Sequence, residues 1–128
     1  MTTFIKLSPV VAAVYGIVGV LLPGFLLTNY GVSVDAAVTL MTRFFGATLI
    51  AWGLALWLVS DSTDWAALRG LLAAAVIADA IGLVISIVGT VAATMNAMGW
   101  SGVFIYAVLG LGALYFLVSG RQTVPSRV

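Results

Sequence analysis

The sequence predicts an all-α polytopic membrane protein, with four transmembrane helices in a single antiparallel bundle and both termini on the same side. Hydrophobic residues make up 63% of the 128 residues and charged residues 7%, whereas a soluble domain carries about 25% charge. A bilayer core about 30 Å thick needs about 20 helical residues to cross it. Stretches of that length, separated only by short loops, lie at about 9–27, 36–60, 65–93 and 102–119.

Residues of the first stretch predict where its helix begins and where it is interrupted. Ser8 followed by Pro9 suits an N-cap and a first helical position, so residues 1–7 either lie at the membrane interface or extend the helix. Pro23 should kink or end this helix because it has no N–H to donate to the carbonyl of Gly19. No small-residue cleavage site follows a short apolar core, so we interpret the stretch as a retained helix rather than a signal peptide.

The other helix boundaries coincide with polar or glycine-containing segments. Ser33 or Asp35 is expected to cap the second helix, and Asp64 the third. Turns and stops of this kind are predicted at 29–31, 61–64, 96–101 and Gly120.

The distribution of basic residues predicts the orientation. Lys6, Arg69, Arg121 and Arg127 fall on the side of the termini, and Arg43 alone falls toward the other side. Because cytoplasmic loops of membrane proteins are enriched in Lys and Arg, both termini are predicted to be cytoplasmic. The predicted location is the bacterial inner membrane, which the chain crosses several times.

Composition argues against most cofactor chemistry. The chain has no cysteine, no histidine and no glutamate, so it lacks thiolate ligands and the imidazole ligands common at haem, zinc and copper sites. The net charge of +1 offers no clustered basic surface for nucleic acid. We therefore predict no cofactor, no metal, no nucleic-acid partner and no enzymatic activity.

Small residues recur at every fourth position in two of the helices. Such ridges allow helix backbones to approach closely in lipid, so helices 2 and 3 are predicted to form the tightest pair, with Ala51 near Ala74 and Ala47 near Ala78. Ordinary helix packing and a substrate-lining groove are the two interpretations. The ridge positions are Ala47, Ala51 and Ala55 in helix 2, and Gly70, Ala74, Ala78, Gly82, Ser86 and Thr90 in helix 3.

Two charges inside the spans form a candidate polar cluster. The predicted register places Arg43 and Asp79 on facing helices, and an unpaired charge there costs at least about 2.5–3.5 kcal/mol. The pair is either a structural ion pair, a site where Asp79 binds an ion or substrate, or a contact with a partner subunit. Tyr15 and Tyr106 lie at similar depths, where they either complete the cluster or act as packing residues.

Glycine pairs occur in the first and last helices. Gly16 with Gly19, and Gly110 with Gly112, lie in apolar helix without a nearby Lys-Ser/Thr. They do not resemble a phosphate-binding loop. We therefore predict that these positions serve helix packing or flexibility.

A sequence pattern in helices 2 and 3 provides one resemblance. The run 43–46 (Arg-Phe-Phe-Gly), Gly53, Arg69 and the pair Ser86 and Gly89 together resemble a group of uncharacterised small bacterial four-helix integral membrane proteins. The resemblance implies the same four-helix architecture and carries no assigned activity.

Three functional hypotheses follow. The first is a non-catalytic accessory or scaffolding subunit that packs against a larger membrane complex. The alternative is a small oligomeric transporter or channel that uses Asp79 and Arg43 within the membrane. A membrane enzyme acting on lipid or quinone ranks last, since the acid–base groups are few. The partners expected are the lipid bilayer and either other membrane subunits or further copies of the chain.

Overall fold

The computed structural model describes residues 2–120, and over this range every regular element is a helix. Four of the helices are long and apolar enough to cross a membrane, which confirms an all-helical chain with four candidate spans. Arg121 and Arg127, used in the charge argument, lie outside the described residues. The helices are α1 Thr2–Leu21, α2 Pro23–Asn29, α3 Ala36–Val59, α4 Trp65–Val91 and α5 Gly99–Ser119.

Helix α1 begins well before Pro9, which lies inside it. Residues 2–7 therefore extend the helix, as one of the two alternatives predicted. Tertiary contacts hold these first turns. The Lys6 Nζ lies 3.0 Å from an oxygen of Asp61, and the rings of Phe4 and Phe116 pack with centroids 5.4 Å apart.

The predicted break at Pro23 is confirmed. Helix α1 ends at Leu21, and Leu22 leaves the helical conformation with φ −130° and ψ 53°. Pro23 then opens the short helix α2, at a position where its missing N–H is harmless. The first apolar stretch is thus two helices rather than one.

Side-chain caps fix the beginnings of α3 and α4. A carboxylate oxygen of Asp35 accepts the Val38 N–H at 2.8 Å, and Asp64 accepts the Ala66 N–H at 2.9 Å. Both confirm predicted caps. Helix α5 starts at Gly99, earlier than the predicted 102. Just before it, the Asn96 side chain accepts the N–H of Met98 at 2.9 Å.

Close backbone contact joins α1 to α3, and a second close pair joins α4 to α5. At the first crossing, a Cβ added to Gly16 would lie 2.7 Å from the Gly46 carbonyl oxygen. At the second, a Cβ added to Gly102 would lie 3.1 Å from the Ser86 hydroxyl. The prediction that Gly16 serves helix packing is therefore confirmed.

The predicted tight pairing of helices 2 and 3, which are α3 and α4, is corrected by the structure. These helices contact each other little, and the ridge positions meant to face each other are exposed. In α3, glycines admit closer backbone approach than alanines, and Gly46 and Gly53 both face α1. The exposed ridge positions are Ala47, Ala51, Gly70, Ala74 and Ala78; Ala55 and Thr90 are partly buried, and Gly82, Ser86 and Thr90 face α5.

Most large apolar side chains of the described helices point outward. Leu58 and Val118 are each 73% exposed, whereas the buried apolar core consists of a few residues such as Leu68 and Leu72. A soluble monomer rarely exposes so much contiguous apolar surface. Together with the four spans, this surface supports a multi-pass membrane protein.

Candidate functional site

A cavity of about 360 Å³ lies between the α1–α3 pair and the α4–α5 pair. All five helices contribute to its wall, which is mainly apolar with a few polar side chains. Ligand pockets in proteins fall between about 300 and 1,000 Å³ and have this kind of lining. The polar side chains of the wall are Ser8, Tyr15, Tyr30, Thr42, Asp79, Ser86 and Tyr106.

A chain of hydroxyl groups joins the two helix pairs at one part of the wall. The Tyr15 and Tyr30 hydroxyls are 3.3 Å apart, and the Tyr30 hydroxyl is 3.2 Å from the hydroxyl of Ser101. The Ser101 hydroxyl in turn donates to the Met98 carbonyl at 2.6 Å. Tyr30, which sequence reasoning placed only in a turn, thus provides a hydroxyl link between Tyr15 of α1 and Ser101 of α5.

Asp79 lines the cavity from α4 and is half-buried. Gly110 of α5 makes room for it, because a Cβ on that glycine would lie 3.1 Å from the Asp79 Cβ. Within residues 2–120 its carboxylate has neither a hydrogen bond nor an ion pair. No group of three metal-ligating side chains surrounds it in the described part of the chain. Asp79 is therefore a polar group in an apolar wall, and the described residues leave its carboxylate without a partner.

Tyr106 lies beside Asp79 on the cavity wall. Its ring covers Gly82, where an added Cβ would meet ring carbons at 2.5–2.7 Å. The glycine thus sets the position of the ring. Three of the four residues predicted to form a polar cluster, Tyr15, Asp79 and Tyr106, share this cavity.

Arg43 is not part of the cluster. It is exposed on α3, and it forms no ion pair with Asp79; the ion pair found in the described chain joins Lys6 and Asp61. The prediction failed because it assumed a hairpin of α3 and α4. In the structure Thr42 and Phe45 of α3 line the cavity, and residue 43 points about 100° away from its neighbour 42 on a helix.

Aromatic residues of α3 and α5 line the cavity. Trp52 and Phe45 contribute from α3, and Tyr106 contributes from α5. Sequence reasoning did not assign Trp52 and Phe45 to a cavity, since no pattern within α3 shows which face meets the other helix pair.

The lining of the cavity combines one carboxylate with hydroxyls and aromatic rings. These groups can bind a ligand through charge, hydrogen bonds and ring contacts. No family model, no curated protein and no solved structure matches this chain.

Proposed function

We propose that this chain is a multi-pass protein of the bacterial inner membrane, with antiparallel spans and both termini in the cytoplasm. The ring contact of Phe4 with Phe116 supports termini on the same side, because it joins the beginning of α1 to the end of α5. Gly16 meets Gly46 while Gly53 meets Pro9, a register that suits antiparallel neighbours. Basic residues at the same end, including Lys6, agree with a cytoplasmic side.

A reporter that is active only in the cytoplasm, fused after residue 128, should therefore give full signal in cells. The matched control is the same reporter fused after Val32, at the opposite end of the first span, which should stay silent. A reporter active only in the periplasm should give the reverse pattern at both sites. Signal from the periplasmic reporter at residue 128 would reverse the proposed orientation.

In this membrane the chain acts as a non-catalytic subunit that packs against another membrane protein. One observation carries this proposal: Arg43, which forms no ion pair within residues 2–120, lies on the exposed surface of α3, along the same helical stripe as Ala47 and Ala51. A charge facing hydrocarbon is costly, and small residues promote helix association in lipid. A partner helix with an acidic side chain would neutralise Arg43 and pack against the small residues.

A second exposed surface of small residues lies on α4. Gly70, Ala74 and Ala78 are exposed at four-residue spacing, and a Cβ at Gly70 would meet nothing within 4 Å. Within residues 2–120 nothing covers this surface at Gly70, so another helix can approach it closely. It is the second contact that the proposed subunit offers.

Native co-purification in mild detergent tests the proposal. The tagged protein should carry one large membrane protein in fixed ratio, identified by mass spectrometry. Ala78→Leu should release that partner without unfolding the bundle, because Ala78 is exposed rather than packed against α3. Ala80→Leu is the control, since Ala80 is also exposed on α4 but lies off the ridge. Retention of the partner by both variants would refute the proposed surface.

A small oligomeric transporter or channel is the second candidate function. The cavity favours it, since Asp79 there has no partner within the described chain. Arg43, exposed outside the cavity, takes no part in such a path. Recovery of a homodimer or higher oligomer alone, with no other protein, would favour this function over the first.

A further inference from the structure

We propose that the cavity between the two helix pairs is a binding site for a small hydrophobic organic cation, with the Asp79 carboxylate as its counter-ion. The site deepens the second candidate function, but it requires binding only. It therefore stands whether or not the protein transports its ligand, and whether or not the outer surface binds a partner.

Charge complementarity indicates that the ligand carries a positive charge. Asp79 is the sole acidic side chain among the residues that line the cavity, and none of these is a lysine or arginine. The basic residues of the described chain lie outside the wall: Lys6 pairs with Asp61, and Arg43 and Arg69 are exposed. A positive charge on the ligand would supply the counter-charge that the described chain does not.

The rest of the wall gives the ligand its chemical class. Tyr15, Tyr30, Phe45, Trp52 and Tyr106 all line the cavity, and aromatic faces attract organic cations that lie within about 6 Å of the ring centre. A bare metal ion fits poorly, since Ca²⁺ takes about six to eight oxygen ligands and Mg²⁺ six. The lining suits a cation whose charge is carried on an apolar body.

The packing of the helices also leaves an approach to the cavity. Helices α3 and α4 contact each other little, yet Trp52 and Leu49 of α3 and Ala75 and Asp79 of α4 all line the cavity. The space between these helices therefore connects the cavity with the surroundings of the bundle. In a bilayer this route opens toward the lipid, so it suits an amphipathic ligand whose charge is carried on an apolar body.

Trp52 provides the readout. A variant with Trp57→Phe, Trp65→Phe and Trp100→Phe keeps Trp52 as the single tryptophan, on the cavity wall. It is placed in lipid nanodiscs and titrated with (4-butylbenzyl)trimethylammonium, whose uncharged isostere, 4-butyl-neopentylbenzene, has the same shape. The cation should change Trp52 emission saturably, whereas the isostere should bind at least about tenfold more weakly.

Replacing the acid should then abolish this preference. Asp79→Asn should weaken binding of the cation by about tenfold or more and leave the weak binding of the isostere unchanged. Asp61→Asn removes the same charge outside the cavity and should have no effect. Because the cation and its isostere are compared on the unmodified Asp79 protein as well, the test does not depend on the variant folding.

Equal affinity for the cation and its isostere would overturn the proposal, as would stronger binding of the anion 4-butylphenylacetate. So would an Asp79→Asn variant that folds and binds the cation unchanged. Flux of the cation into proteoliposomes is measured separately. Binding without flux would refute the transporter function and leave the proposed binding site standing. Flux that does not depend on Asp79 would support a transporter and refute the proposed binding site.

Discussion

Replacing Gly46 with alanine should destabilise the protein by about 1–3 kcal/mol, the usual cost of overpacking a tight contact. The added Cβ would lie 2.6 Å from the Gly16 carbonyl oxygen and 3.0 Å from the Val20 backbone nitrogen. These are backbone atoms of α1, which cannot turn aside as a flexible side chain would. The two helices must therefore separate along their whole crossing to admit one methyl group.

Gly70→Ala is the matched control, since it adds the same methyl group to a helix. Nothing lies within 4 Å of a Cβ at Gly70, so the change should stabilise α4 by roughly 0.5–1 kcal/mol through its lower backbone entropy in the unfolded chain. Unfolding midpoints in one detergent should thus move in opposite directions for the two variants. Equal shifts would mean that α1 and α3 do not cross at Gly46.

Features set by neighbouring residues were predictable from the sequence. Asp35 and Asp64 cap their helices, and Pro23 interrupts the first apolar stretch, as local chemistry requires. The apolar lengths gave the four spans because bilayer thickness fixes how long a spanning helix must be. The extension of α1 to Thr2 does not follow from neighbouring residues, since it depends on contacts with distant ones.

The choice of helix partners was not predictable in the same way. Gly46 and Ala47 are adjacent, and each begins a plausible packing stripe on α3. The decision between them depends on which other helix offers a complementary surface, and α1 offers Gly16. Taking the alanine stripe instead turned Arg43 toward Asp79, so the mistaken pairing also produced the mistaken ion pair.

In the candidate site, too, some residues were predictable from the sequence and others were not. Depth along each helix was enough to group Tyr15, Asp79 and Tyr106, because residues at equal depth in a bundle lie in one layer. Tyr30 and Trp52 were missed as members of the cavity wall. Their roles depend on the packing of one helix pair against the other, which leaves no periodic signal within a single helix.

Replacing Gly82 with alanine should also destabilise the protein by about 1–3 kcal/mol. The new Cβ would lie 2.5–2.7 Å from carbons of the Tyr106 ring, so the ring must leave its place between α4 and the cavity. The unfolding midpoint should fall. Emission of Trp52 in the single-tryptophan protein should change as well, because both rings line the same cavity.

A double-mutant cycle separates this contact from a general loss of helix packing. In a Tyr106→Ala background the ring is gone, so Gly82→Ala should no longer destabilise and should even raise the midpoint, as expected for alanine in a helix. The coupling energy between the two positions should fall within about 0.5–3 kcal/mol, the range for residues in contact. Additive effects, with no coupling, would show that the Tyr106 ring does not pack on Gly82. The placement of this ring in the cavity wall with Asp79 would then be wrong.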